Sequence, residues 1–237
     1  MKHTLLVASV CACFGAVAFG DTFTILPSRA AQNPTDIIDW SQLGPDGTEL
    51  TTPQLVSTFN GNLALVGNIN GGDFFRSDSG TSWLGNFDFG QTLIWTGNSN
   101  SGLGGGGPFA MFFQHPVDSF GFDIETDMNG PFTAFVQVLD PLGNPLGLGA
   151  FSGFATHATF DGSANFVGML DNQGAHIGGI IISTDSGVPA LANDFAIDDP
   201  SFTTPEPSSI ALLVSGILVF SLLLRRKTKN TAAQLLK

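Results

Sequence analysis

The chain has 237 residues, 20 acids against 8 lysines and arginines, and a formal net charge of −12. So acidic a surface repels nucleic acid and anionic membranes, and neither is an expected partner. Both cysteines, Cys11 and Cys13, fall in the N-terminal apolar run, which excludes a disulfide, a thiolate metal site or a cysteine nucleophile from the rest of the chain.

The first element is a secretory signal. Lys2 and His3 give a polar start, residues 5–19 are apolar, and Ala18-Phe19-Gly20 puts small residues at the positions a signal peptidase reads. The expected signal peptide is 1–20, with cleavage before Asp21. The run is short for a retained span and lacks a basic flank.

The body follows, one domain over 21–202. Between Asp21 and Thr204 there are two basic residues, Arg29 and Arg76, against 19 acids, a net charge of −17. Its core material is 19 phenylalanines with no tyrosine, and 27 glycines supply turns. Few helix-supporting residues and many turn formers argue for short strands. Strands are predicted over 22–26, 54–59, 63–69, 83–89, 91–95, 109–114, 120–125, 132–139, 146–151, 165–170, 176–183 and 194–202. The clearest alternation is in 120–125, where Phe120, Phe122 and Ile124 share one face and Asp123 and Glu125 the other. Residues 140–145 form a strong turn signal. The expected fold is all-β, a β-sandwich of jelly-roll type.

Several motifs bear on chemistry. The glycine run 102–107 matches a G-x-G-x-x-G string, but Pro108 and a phenylalanine-rich strand follow where a dinucleotide site needs a helix, so a connecting loop is expected. Residues 123–130 place oxygen donors at alternate positions, yet Met128 and Ala134 stand where an EF-hand needs glycine and glutamate. Asp198 and Asp199 are the better calcium candidates. Adjacent strand residues point to opposite faces, so one carboxylate is pressed inward and needs Arg29, Arg76 or a cation. The alternative is a strand that ends before Pro200 and leaves both acids in water. His115, His157 and His176 lack metal spacing. No hydrolase elbow or zinc-protease motif occurs, and no catalytic residue is assigned. Trp83 and Trp95 are expected in the core, with Trp40 undecided between core and sugar-stacking surface.

The C-terminal segment combines Pro205-Glu206-Pro207, an uncharged apolar helix over 208–224 long enough to reach across a bilayer, and the basic cluster Arg225-Arg226-Lys227 within 225–229, followed by a tail, 230–237. Basic charge beside a span stays on the cytoplasmic side, which places the body outside. This order over residues 203–229 resembles the PEP-CTERM sorting signal of Gram-negative bacteria. The resemblance implies recognition of Pro205, Glu206 and Pro207 by an exosortase-like membrane protease or transpeptidase. The span would be transient, and the product would reach the cell surface or extracellular matrix. Phe120-Gly121-Phe122-Asp123, Phe166-Val167-Gly168 and Phe195-Ala196-Ile197-Asp198-Asp199 resemble the lectin-like sandwich domains that precede such signals. The expected function is a non-enzymatic surface or exopolysaccharide-matrix protein. A calcium-stabilised carbohydrate-binding module is the alternative, and an extracellular polysaccharide hydrolase the third.

Overall fold

The computed structural model describes residues 22–97, 105–156, 160–187 and 192–204. The signal peptide expected over 1–20, the span over 208–224, His157 and the sorting residues Pro205, Glu206, Pro207, Arg225, Arg226 and Lys227 lie outside the described residues. Among the described residues no helix is long and apolar enough to cross a membrane.

In chain order the strands are β1 (Phe23–Ile25), β2 (Asp36–Ile37), β3 (Thr48–Leu50), β4 (Gln54–Ser57), β5 (Leu63–Asn68), β6 (Phe74–Asp78), β7 (Thr92–Trp95) and β8 (Phe109–Val117). Then come β9 (Ser119–Thr126), β10 (Gly130–Leu139), β11 (Pro145–Ala155), β12 (Asn165–Asp171), β13 (Ile177–Asp185), β14 (Phe195–Ile197) and β15 (Ser201–Thr203). A one-turn helix α1 (Arg29–Gln32), capped by the Ser28 side chain, and a 3-10 turn over Trp40–Leu43 lie near the start.

The strands form two antiparallel sheets facing each other, an all-β sandwich. One has the order β1-β12-β9-β14-β7-β6-β3, with β15 joining β9 to β2, and the other has the order β11-β10-β13-β8-β5-β4. The pairings β7 with β14, β8 with β13, β9 with β12 and β10 with β11 nest inside one another, alternating between the sheets.

Phenylalanine fills the space between the layers. Phe120 and Phe122 of β9, Phe195 of β14, Phe109 of β8 and Phe202 of β15 are fully buried, and each contributes about 1.5–3 kcal/mol by leaving water. Edge-to-face contacts order them: Phe74 on Phe109 at 5.5 Å and Phe113 on Phe202 at 4.8 Å. Trp40 belongs to this core, fully buried and 6.5 Å from the Phe109 ring.

The strand expected over 83–89 is absent. After β6 the amides of Thr81, Ser82 and Trp83 all turn back onto the Asp78 carbonyl. The segment then crosses the outer face of the nine-stranded sheet, where Trp83 and Phe87 bury Leu93 and Ala196 in a second apolar cluster. Its two-residue alternation serves this packing and not a ladder. The long strand expected over 194–202 is divided into β14 and β15.

Candidate functional site

The division between β14 and β15 builds a polar corner in the interior of the domain. Ile197 pairs with Ile124 and Ser201 with Gly121, so the register along β9 moves by one residue across Asp198, Asp199 and Pro200. The extra residue turns both aspartates into a donor-rich corner. The Asp198 carboxylate accepts from the Asp123 amide at 2.7 Å, Gln91 Nε2 at 2.8 Å and Arg29 Nη2 at 2.5 Å. Its carbonyl accepts Trp40 Nε1 at 2.7 Å. Asp199 Oδ1 accepts the Trp40 amide at 3.0 Å and Thr92 Oγ1 at 2.7 Å, while its carbonyl takes Arg29 Nη1 at 3.0 Å.

Arg29 is delivered by α1. Its Nη2 also reaches Asp123 Oδ2 at 3.1 Å, and its guanidinium lies 5.9 Å from the Phe166 ring centre. Phe166 in turn rests on Gly121 and Gly168, which face each other across β9 and β12. A Cβ on either glycine would come within 2.6 Å of that ring, so only glycine admits it. The three sequence motifs 120–123, 166–168 and 195–199 thus meet on adjacent strands.

The electrostatics follow from burial. Asp198 is 2 % exposed, and burial, then the neighbouring Asp123, push its carboxyl well up against the pull of Arg29. Burial likewise raises Asp199. For Arg29, burial works against the charge, but Asp198 and Asp123 outweigh it and raise its pKa. The inward-pressed acid therefore has a counter-charge in Arg29, one of the two arginines open to it. Among the described residues no group of three or more His, Cys, Asp or Glu is placed to hold a metal ion.

Other buried acids are held separately. Glu125 lies under the 83–87 segment, accepting from the Asn86 amide at 2.8 Å, Trp83 Nε1 at 3.4 Å and the Thr156 amide at 3.2 Å. Asp194 accepts Trp95 Nε1 at 2.7 Å, and burial pushes its carboxyl up to about 6. Arg76 pairs with Asp78 at 2.5 Å. His176 meets Asp171 at 3.2 Å, and the His115 amide donates to Asn62. The structure does not bring these histidines together with the aspartates of the corner.

A different surface lies on the outer face of the six-stranded sheet. Leu55, Leu65 and Phe112 face one another in register across β4, β5 and β8 and stand 64 %, 44 % and 40 % exposed. They border two shallow apolar grooves of about 360 and 260 Å³, the larger walled by Pro53, Ile69 and Ile181 as well. The side-chain donors at its rim are committed elsewhere. Asn68 Nδ2 donates to the carbonyls of Gly72, Asp73 and Thr96, and Thr52 Oγ1 donates to Gly72. Sequence reasoning missed this row. Its trace was the apolar character of β5 at both alternations, Leu63-Ala64-Leu65-Val66, in a sheet that turns only one face to the core.

No model of a known protein family matches the chain, and no curated protein does. Among solved structures it is similar to a DUF4465 family protein from Bacteroides caccae, at 9 % identity and a TM-score of 0.42, over 72 % of this chain and all of that one. The enzymatically active domain of tailspike protein 4 of bacteriophage CBA120 aligns at 15 % identity and a TM-score of 0.27, over 69 % of this chain and 20 % of that one. Likenesses this distant support no functional argument.

Proposed function

We propose that this is an exported, non-enzymatic β-sandwich of jelly-roll type that acts at the cell surface or in an exopolysaccharide matrix through surface contact. The nested antiparallel pairs β7–β14, β8–β13, β9–β12 and β10–β11 support the jelly-roll reading. The observation that carries the contact reading is the exposed row Leu55, Leu65 and Phe112 between two open grooves. The buried acids support it as well, because the hydrogen bonds described for their carboxylates come from within the domain. Delivery rests on the signal peptide at 1–20 and on Pro205-Glu206-Pro207, the span over 208–224 and Arg225-Arg226-Lys227, read by an exosortase-like enzyme.

The carbohydrate-binding alternative, with calcium at Asp198 and Asp199, makes a separate demand. Sugar hydroxyls need hydrogen-bond partners, and the larger groove offers mostly hydrocarbon. Mass spectrometry of the exported protein tests the delivery reading. The expected product begins at Asp21 and has lost the segment beyond the 205–207 motif, whereas Lys237 still attached would mean a plain anchor. A glycan array with and without chelator separates the two contact readings. Calcium-dependent glycan retention would favour the binding module over the matrix protein.

A further inference from the structure

The six-stranded sheet ends at β11, an eleven-residue strand paired only with β10 among the described residues. The register shows which of its peptide groups are spoken for. Even-numbered residues of β10 lie opposite odd-numbered residues of β11, and Pro131, which has no N–H, lies opposite Phe154. Phe154 therefore turns its own N–H and C=O away from β10. Asn165 marks the same side, since its Oδ1 accepts the Phe154 amide at 3.1 Å and its Nδ2 donates to the Ser152 carbonyl at 3.2 Å. One side-chain amide thus occupies one end of the edge in place of a neighbouring strand. By the alternation of an antiparallel ladder, Leu148 and Ala150 present their N–H and C=O groups on this same free side.

Natural edges are guarded by charge, proline or a bulge, and in β11 the proline, Pro145, and a register shift beside Leu139 both sit at the start of the strand, short of Leu148. Here no Asp, Glu, Lys or Arg occurs anywhere in 141–160, in a body that carries 19 acids. Leu148 is 69 % and Phe154 59 % exposed beside the open edge. In so acidic a molecule this uncharged strand lets two copies approach with little like charge at the contact, the nearest acid of the hairpin being Asp140 in its turn. The free groups are also self-complementary. With Gly149 on a two-fold axis, Leu148 of one copy falls opposite Ala150 of the other, and each amide of these residues meets a carbonyl.

We propose that β11 is a self-pairing edge, joining two copies of this chain into one continuous antiparallel sheet. A dimer of this kind leaves the row Leu55, Leu65 and Phe112 open, because that row lies toward β4 at the other end of the sheet. Salt strengthens it by screening the like charges of the two bodies.

Sedimentation of the exported protein over a range of concentrations, paired with hydrogen exchange, tests the proposal. The expected result is a monomer–dimer equilibrium in which the amides of Leu148 and Ala150 become protected as dimer forms. Ala150→Pro removes an amide that has no partner among the described residues of the single copy, so circular dichroism and melting should stay as they were. The dimerisation midpoint should move to concentrations at least about tenfold higher. Ala150→Lys should act in the same direction, and Leu55→Lys should leave the midpoint unchanged. A protein monomeric at its highest soluble concentration would overturn the proposal. So would a dimer indifferent to both Ala150 substitutions, or one abolished by Leu55→Lys.

Discussion

Asp198 is the residue on which the two ends of the domain meet. It is nearly fully buried and receives hydrogen bonds from α1, β9 and the segment before β7. Removing the guanidinium leaves a buried carboxylate with less compensation. Arg29→Met is expected to cost about 2 kcal/mol, below the roughly 3–5 kcal/mol of a wholly buried pair, since a third of the Arg29 side chain is open to solvent. The loss should shrink as pH falls, because burial favours the protonated Asp198 and a neutral carboxyl needs no counter-charge; denaturant titrations across the acidic range check this. Asp194 carries a cleaner pH signature. Its folded pKa of about 6 lies above the ordinary aspartate value of about 4, so it binds a proton more readily in the native state. Its contribution is fully present below about pH 4 and is lost as pH rises through about 6. Asp194→Asn removes that loss and can still accept from Trp95. The melting temperature of the variant relative to wild type should therefore be highest at pH 7 and fall as pH is lowered toward 4. A pH-independent difference would mean that Asp194 titrates like an exposed acid.

At the level of elements, the segment 83–87 is a cover placed on a sheet. It closes over Glu125, and its middle residue has no room for a side chain. A Cβ at Gly85 would stand 2.0 Å from Glu125 Oε2. Gly85→Ala is expected to cost about 1–3 kcal/mol by forcing cover and carboxylate apart. Thermal melting measures the loss, and a companion Glu125→Ala change should recover part of it. The same region marks the limit of what sequence could tell. Strands β8, β9, β10, β12 and β13 were legible because their apolar residues alternate or run continuously between turn signals. Trp83-Leu84-Gly85-Asn86-Phe87 alternates equally well, and only the three amides turning onto Asp78 decide that it is not a strand. Strands β2, β3 and β6 were invisible for the opposite reason. Two are only two and three residues long, and β6 hides Arg76 and Ser77 inside, so no period survives. The polar corner was half legible. The scarcity of arginines left an inward aspartate with Arg29, Arg76 or a cation as partner and made the cation attractive, whereas the structure supplies Arg29. The bulge that turns Asp199 toward Trp40 and Thr92 depends on tertiary register and leaves no local signal beyond Pro200.

Across the whole molecule, strands far apart in sequence are neighbours in space. β14 and β15 follow almost the entire domain in the chain, yet they lie against β9, and β14 separates it from β7. A truncation ending at Asp194 would leave the Ile94 and Phe122 layers without Phe195, Ile197 and Phe202. It should fail to give a cooperative melt, whereas a protein ending at Thr204 should melt as the longer chain does. Calorimetry of the two truncations decides this, and a cooperative transition in the shorter one would show that the sandwich closes without its inner pair.

The placement of β14 and β15 also sets a timetable. On the export reading proposed above, a chain threaded through a translocation channel from its N-terminus would deliver residues 195–203 after every other described strand has emerged. Until they arrive, the nine-stranded sheet has a slot between β9 and β7, with phenylalanine side chains open to water on its inner face. The last of the described strands ends at Thr203, two residues before Pro205. On the sorting reading proposed above, completion of the sheet and arrival of the recognition motif are nearly one event. An enzyme that cuts at that motif would then act only on chains whose final strand has already been delivered, and so in effect on folded domains.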